Sequence, residues 1–290
     1  MRLLNRLRAA LATGILLLST ASWAVAPATV ELVQAPAWVE RQGRSLPLAP
    51  GMELKSGDMV RTGDGARAYL LLAEGSRVKL GETARFSLHT HSMQPQKSFR
   101  GALDVLAGAF RYTTAKLKKS VSRDVAIRVG TATVGIRGTD VWGKTDKDGD
   151  LVALLEGRIE ITRAGQTTEM SQAMSYYDAP AGKAAEVKAL DPESFARLAR
   201  QTDILAGDGA AGSKGKWSIL AGSAASQEAA LEIYDQVRDA GFAARVRPRA
   251  VEGGEWRYEV AIRGFASSAE AQVAAARLAK ATELKPAVSR

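Results

Sequence analysis

The chain contains no cysteine and only two histidines among its 290 residues. The absence of cysteine excludes a disulfide framework, and it also excludes the lipidated cysteine that anchors some exported proteins. Beyond residue 24, no apolar run approaches the roughly 20 residues that a membrane-spanning helix needs. We therefore expect a protein stabilised by its hydrophobic cores alone, for which a hydrophobic content of 46% is sufficient.

Sequence signatures of catalysis and of cofactor binding are also missing. No serine lies in a Gly-x-Ser-x-Gly motif, and no glycine-rich segment matches the phosphate loop or the dinucleotide fingerprint. His89 and His91 share one face of a strand but lack a third ligand, so we interpret them as solvated edge residues. The acidic run Asp146–Asp150 departs from the calcium-loop pattern at its sixth and twelfth positions, and a hairpin turn at Asp148-Gly149 explains it better. We expect a protein that is not an enzyme, with neither a metal nor a cofactor.

The first 24 residues have the pattern of a signal peptide. Three arginines precede the apolar run Leu11–Leu18, and small residues before Val25 offer a cleavage site. Removal of those arginines lowers the formal charge from +9 to +6. We therefore expect an exported periplasmic protein without a transmembrane anchor, and an uncleaved N-terminal anchor is the alternative. Outside the cytoplasm, a basic protein meets cell-wall polymers and membrane surfaces rather than nucleic acid.

The last quarter of the chain alternates between strand and helix periodicity in the order strand, helix, strand, strand, helix, strand. The predicted elements are Trp217–Ser223, Ser226–Ala240, Ala243–Arg249, Trp256–Phe265, Ser267–Thr282 and Lys285–Ser289. Gly241 lies where a helix C-cap belongs, and Ser267 with Glu270 fits a capping box for the second helix. This order predicts a small α+β unit with both helices on one face of its sheet.

The same residues carry a family resemblance. The motifs are the segment WSILAGS from Trp217, the helix end Asp239-Ala-Gly-Phe242, the strand Tyr258–Phe265 and the helix start Ala266–Ala271. Residues 216–290 resemble the SPOR domain, the sporulation-related repeat that binds septal peptidoglycan. The resemblance implies a ferredoxin-like βαββαβ fold that binds glycan strands stripped of their stem peptides through the uncovered face of the sheet.

The middle of the chain has an all-β texture. Between Val30 and Thr162, short apolar runs recur with polar turns between them, a spacing typical of a sandwich, a barrel or an irregular roll. Gly75, Gly108 and Gly157 each separate two strand-like runs, and we predict tight bends with positive φ at all three.

Three strings of this all-β region carry a second resemblance. They are Gly57–Gly63, Val129–Trp142 with the sequence VGTATVGIRGTDVW, and Leu154–Ile159. The region resembles the FecR domain, with a core over residues 49–162 inside a domain of residues 30–180. The resemblance implies a β-rich extracytoplasmic module for binding or scaffolding, with an unidentified partner. Arg137 and Asp140 are interpreted as a mutual ion pair or backbone clamp, and a ligand-contacting pair is the alternative.

Residues 181–215 are expected to connect the two domains. Asp191 caps a short helix, Pro192–Thr202, whose apolar stripe is expected to pack on the β-domain. Leu205–Gly215 (LAGDGAAGSKG) has the composition of a flexible Gly/Ala linker without core residues.

Alternation assigns the C-terminal strand residues to two faces of the sheet. The side predicted to face the helices contains Trp217, Ile219, Ala221, Ala244, Val246, Trp256, Tyr258, Val260 and Ile262. The open side contains Ser218, Leu220, Gly222, Arg245, Arg247, Arg257, Glu259, Ala261 and Arg263. The predicted glycan-binding residues are Ser218, Leu220, Arg245, Arg247, Arg257 and Arg263.

Four functions remain as hypotheses at this stage. The first is a periplasmic, non-enzymatic peptidoglycan-binding protein that tethers a FecR-like β-domain to the cell wall, with enrichment at the division septum. The second is a periplasmic sensor related to FecR signal transducers, although this sequence has no transmembrane helix like theirs. A wall hydrolase in the β-domain and nucleic-acid binding by a ferredoxin-like sheet are the other two.

Overall fold

The computed structural model describes residues 26–94, 98–115, 122–251 and 254–290. The predicted signal peptide lies outside these ranges. Within them, an all-β unit precedes a small α+β unit, which confirms the predicted fold class. The helices of the described ranges are too short or too polar to span a bilayer.

The N-terminal unit consists of antiparallel strands with one parallel pair. Its strands are β1 Ala28–Gln34, β2 Ala37–Arg41, β3 Arg44–Pro47, β4 Glu53–Leu54, β5 Met59–Thr62, β6 Arg67–Leu72, β7 Arg77–Leu80, β8 Arg85–Gln94, β9 Ser98–Thr113, β10 Ser122–Val129, β11 Ala132–Asp146, β12 Gly149–Arg163, β13 Gln166–Met170, β14 Ser175–Pro180 and β15 Glu186–Ala189. The parallel pair is β9 with β10.

These strands form a sandwich in which three long strands belong to both layers. One layer has the order β3-β2-β5-β8-β9-β10-β11-β12-β13, and the other has the order β1-β6-β7-β9-β11-β12-β14-β15. The first half of β9 pairs with β8 and β10, and its second half pairs with β7 and β11. The two inner faces share one core that includes the fully buried Phe86, Phe99 and Phe110. Burial of each such side chain stabilises the fold by about 1.5–3 kcal/mol.

Glycines mark the places where the long strands change layers. Gly108 in β9 and Gly157 in β12 have φ values of +82° and +93°, as predicted for tight bends. A Cβ on Gly157 would lie 2.3 Å from the carbonyl oxygen of Gly138 on β11, so the two strands approach too closely there for any other residue. The sequence predicts that each of these glycines separates two strands. In the structure, the residues on both sides of Gly108 belong to the single bent strand β9, and those on both sides of Gly157 belong to the single bent strand β12.

The sandwich continues into helix α1, Pro192–Thr202, which confirms the predicted helix. The Asp191 side chain caps the helix, and hydrogen bonds from the Ser194 hydroxyl and backbone N–H lower the pKa of Asp191. Phe195 and Leu198 pack against the small cluster around the fully buried Trp142. The helix therefore covers the sandwich through the apolar stripe that the sequence predicts.

The C-terminal unit has the predicted βαββαβ order. Its elements are β17 Trp217–Ala224, α2 Gln227–Asp239, β18 Ala244–Ala250, β19 Trp256–Phe265, α3 Ser268–Ala281 and β20 Ala287–Ser289. The sheet order is β18-β19-β17-β20, and both helices pack on one face through a core that includes Val237, Val260 and Leu278. The opposite face has no helix against it in the described residues.

The connector between the units has fixed contacts with both of them, contrary to the flexible linker that its composition predicts. Strand β16, Ala211–Gly212, pairs with β1 of the sandwich and with Phe265 of β19, so the two sheets are continuous. Ala211 is buried in the C-terminal core, although the segment seemed to lack core residues. Composition misleads here because the glycines serve close backbone packing rather than flexibility: a Cβ on Gly215 would lie 2.2 Å from the carbonyl of Gly264, and a Cβ on Gly264 would lie 2.4 Å from the carbonyl oxygen of Gly212.

The carboxylate of Glu270 holds the preceding part of the connector. Its oxygens accept hydrogen bonds from the backbone N–H groups of Gly207, Gly209 and Ala210 at 2.7, 2.5 and 3.0 Å. Ser267 caps α3 as predicted, because its hydroxyl oxygen accepts a hydrogen bond from the backbone N–H of Glu270 at 3.2 Å. In a complete capping box, the Glu270 carboxylate would accept a hydrogen bond from the backbone N–H of Ser267. Here it accepts hydrogen bonds from the connector instead.

Replacement of Glu270 by alanine is expected to release the connector. A charge-assisted hydrogen bond is worth about 1.5–3 kcal/mol when fully buried and less at this partly exposed site, so loss of all three, at about 2 kcal/mol together, should raise the open population of the segment by roughly 30-fold. Trypsin cleavage after Lys214 or Lys216 should accelerate accordingly, and mass spectrometry of the fragments measures it. Glu283→Ala, on an exposed site after α3, is the control and should leave the cleavage rate unchanged.

Candidate ligand-binding face

The register of the C-terminal sheet brings the predicted ligand residues onto one face. Residues that pair directly across antiparallel strands point to the same side of the sheet. Arg245 pairs with Ala261 and Arg247 pairs with Glu259, while Ser218 pairs with Arg263. Leu220 also pairs with Ala261, from the other side of β19. The remaining predicted residue, Arg257, lies two positions before Glu259 on β19 and shares its face.

Arginine dominates this surface, which we call the arginine face and define as Arg245, Arg247, Arg249, Arg257 and Arg263. All five side chains are exposed. Arg249 was not among the predicted residues, although continued alternation from Arg245 and Arg247 places it there, opposite Arg257. The carboxylate of Glu259 lies among them and accepts a hydrogen bond from Arg249 Nη1 at 2.9 Å.

Four of these arginines keep their charge free for a ligand. In the described ranges, Arg245, Arg247, Arg257 and Arg263 take part in no ion pair, whereas Arg249 is paired with Glu259. The helical side of the unit is different, since Arg238 on α2 is held by Asp235 at 2.7 Å and by Asp239 at 3.0 Å. The unit therefore has an arginine-rich open side and an acidic helical side.

One residue predicted on the open face belongs to the helical face. A β-bulge between Leu220 and Gly222 shifts the register of β17, so that Gly222 pairs with Val260 of the core. A Cβ on Gly222 would lie 3.0 Å from the Ile233 side chain of α2. After the bulge, Ser223 occupies the open-face position opposite Glu259. Simple alternation could not locate this change because a bulge inserts one residue into one strand.

One residue predicted in the core is exposed. Trp256 keeps 56% of its surface accessible and lies opposite Ala250, at the end of the β18–β19 ladder. It is outside the core cluster that Val260 and Ile262 join further along the same strand. The strand pair extends beyond the area that the helices cover, and alternation alone does not reveal where that coverage stops.

The candidate residues of the sandwich have structural contacts. The carboxylate of Asp140 is held by Arg111 through two hydrogen bonds of 2.9 and 2.7 Å, and this hydrogen bonding raises the pKa of Arg111. The side chain of Arg137 lies outside the described part, so its predicted pairing with Asp140 remains a prediction. His89 Nε2 lies 3.2 Å from Asp104 Oδ2. In the described ranges, no group of three acidic or histidine side chains is arranged to hold a metal ion.

Asp150, the last residue of the acidic run, is a buried clamp. The run forms the predicted hairpin, with Asp146 paired to Gly149 around the turn. The Asp150 carboxylate accepts hydrogen bonds from the backbone N–H and hydroxyl of Thr131 and from the hydroxyl of Thr145, at 2.8, 2.6 and 2.6 Å. It therefore fastens the β10–β11 turn to the β11–β12 hairpin.

The fold and the arginine face together define a protein of two modules, a β-sandwich followed by an α+β unit with an open basic sheet. Family models agree with this division. The model described as "FecR protein" matches residues 58–160, and the model described as "SPOR domain" matches residues 213–290. The chain therefore carries a FecR domain followed by a SPOR domain, in the order that the sequence motifs predict. Neither family is enzymatic, and SPOR domains bind peptidoglycan.

Comparison with solved structures gives weaker likenesses. Two crystal structures of a protein from Parabacteroides distasonis ATCC 8503, described as a "putative anti-sigma factor", have TM-scores of 0.39 and 0.40 at 12% identity. The alignments cover 68% and 76% of this chain, and 96% and 90% of the respective neighbours. At these scores the likeness supports no functional argument. No curated protein matches the chain.

Proposed function

We propose that this protein is an exported, non-enzymatic peptidoglycan-binding protein of the periplasm. Its SPOR domain binds denuded glycan strands at the division septum, and it tethers the FecR domain to the cell wall. The observation that carries the proposal is the arginine face: four of its guanidinium groups are exposed and have no ion-pair partner among the described residues, on a sheet face that no described helix covers.

The chemistry of a denuded strand is complementary to this face. A muramic acid residue without its stem peptide has a free lactyl carboxylate, and an arginine binds a carboxylate through two parallel hydrogen bonds. Leu220 and the aliphatic parts of the arginine side chains offer an apolar surface for the sugar rings. Along β19, the distance from Arg257 to Arg263 is about 20 Å at 3.3 Å per residue, which accommodates more than one sugar.

Binding to sacculi tests the proposal directly. The full-length protein should be retained on sacculi treated with an amidase that removes stem peptides, and retained much less on untreated sacculi, whose muramic carboxyls are blocked by peptide. Equal retention on both preparations would refute binding through the free carboxylate. Zymography of the same protein should show no clearing of the peptidoglycan.

Localisation tests the septal part of the proposal. A periplasm-competent fluorescent fusion of the full chain should concentrate at midcell in dividing cells, because denuded strands arise where amidases act. A uniform periplasmic signal would contradict septal targeting without affecting the binding result.

A further inference from the structure

A cleft opens where the FecR and SPOR domains meet. Its volume is about 300 Å³, which is the lower end of the range for small-molecule sites. On the sandwich side its lining includes Leu48, Ala49 and Pro50. On the SPOR side its lining includes Arg245 and Arg263, so the cleft adjoins one end of the arginine face.

Interdomain contacts hold the walls of this cleft in place. Besides β16, the backbone N–H of Ala37 donates to the carbonyl of Gly241 at 3.1 Å. Arg277 of α3 donates to the carbonyls of Ala35 and Gly65, both at 3.3 Å, and burial lowers the pKa of Arg277. A cleft between walls that are joined by three independent contacts is preformed, and preformed sites lose less entropy when a ligand binds.

The lining combines two kinds of group that suit a sugar acid. Arg245 and Arg263 are exposed and take part in no ion pair of the described ranges, so they are available for an anion. Ala49 and Pro50 are half-buried and present an apolar wall against which a sugar ring can pack. Pockets with a mostly apolar wall and a few convergent polar groups bind ligands in a defined orientation.

We propose that this interdomain cleft binds one muramic acid residue of a denuded strand, with its lactyl carboxylate at Arg245 and Arg263 and its ring against Ala49 and Pro50. This inference rests on the proposed function and adds to it that the FecR domain forms part of the glycan site. The affinity for glycan then depends on the sandwich as well as on the SPOR sheet, so the FecR domain contributes directly to binding.

A substitution on the sandwich side separates this cleft from the rest of the face. Ala49→Trp in the full-length protein should fill the cleft without altering any arginine. We expect its affinity for purified denuded glycan fragments to fall about tenfold, the equivalent of 1.4 kcal/mol, in isothermal titration calorimetry. Leu106→Trp places the same side chain on the sandwich surface, at a residue that is 56% exposed, and it should bind as the wild type does.

Carboxyl-reduced glycan fragments provide the second arm. They lack the lactyl carboxylate, so wild type and Ala49→Trp should bind them with equal, weak affinity. Ala49→Leu, a smaller change, replaces Ala49→Trp if circular dichroism shows that the tryptophan variant is unfolded, and a threefold loss is expected for it.

The outcomes distinguish this inference from the proposed function. Wild-type affinity for the intact fragments in the folded Ala49 variant, whichever of the two it is, would overturn the cleft and leave the sheet-face model standing. Failure of the wild-type protein to bind denuded fragments at all would overturn both. A loss in Leu106→Trp equal to that in Ala49→Trp would also overturn the cleft, because an added tryptophan outside the cleft would then have the same effect.

Discussion

Reversal of two charges on the arginine face, Arg245→Glu combined with Arg257→Glu, is expected to abolish retention on amidase-treated sacculi. The two residues lie toward opposite ends of the face, so a strand that follows β19 meets both of them. Each change removes a guanidinium group that would bind a ligand carboxylate through two hydrogen bonds, and it adds a negative charge that repels the same carboxylate. Both effects lower the affinity. Sedimentation of the full-length variant with treated sacculi measures the loss.

The fold should survive this double substitution. Both side chains are exposed and neither takes part in an ion pair of the described ranges, and surface changes of this kind usually alter stability by less than about 0.5 kcal/mol. Arg85→Glu combined with Lys147→Glu is the matched control, because it changes the net charge equally at exposed sites of the FecR domain. Retention of the test variant at the wild-type level would refute the sheet-face model.

Salt provides an independent check on the same contact. If guanidinium–carboxylate pairs supply most of the affinity, retention of the wild-type protein should fall as ionic strength rises, because exposed charges are screened over about 8 Å at 0.15 M.

The SPOR unit was the most predictable part of the chain because its periodicities are local. The order of elements, the Gly241 cap and the arginines at alternate positions all depend on residues close together in the sequence. The errors at Gly222 and Trp256 have nonlocal causes, namely a bulge in one strand and the limit of helical coverage. The alternation of polar and apolar residues reveals neither the bulge nor the limit of helical coverage.

The sandwich and the connector show what such patterns omit. The bends at Gly108 and Gly157 were predicted, but not that the chain passes there from one sheet to the other. Asp140 is paired with Arg111, which is 29 residues away in the sequence, so no spacing rule identifies the pair. Likewise, Glu270 reads as half of a capping box, and its actual partners on the connector lie some 60 residues earlier.

Asp150→Ala is expected to lower the free energy of unfolding of the FecR domain by about 3 kcal/mol, since it leaves the buried hydroxyl of Thr145 and the partly buried donors of Thr131 without their acceptor. Asp150 is only 5% exposed, and a Cβ on Gly130 would lie 2.0 Å from its carboxylate oxygen, so the turn backbone packs closely against this carboxylate. A loss of this size corresponds to a fall in Tm of roughly 6–12 °C for a domain of about 150 residues. Thermal unfolding followed by circular dichroism measures it.

The neighbouring turn offers the control for this prediction. Asp148→Ala removes a carboxylate of the same hairpin that is exposed, so Tm should change by no more than about 1 °C. Asp150→Asn should fall between the two, because the amide keeps one acceptor oxygen and turns the other acceptor into a donor that faces a donor. If Asp150→Ala unfolds at the wild-type temperature, the carboxylate does not hold the two turns together. If instead all three variants lose stability equally, the strain lies in the hairpin rather than in the buried hydrogen bonds.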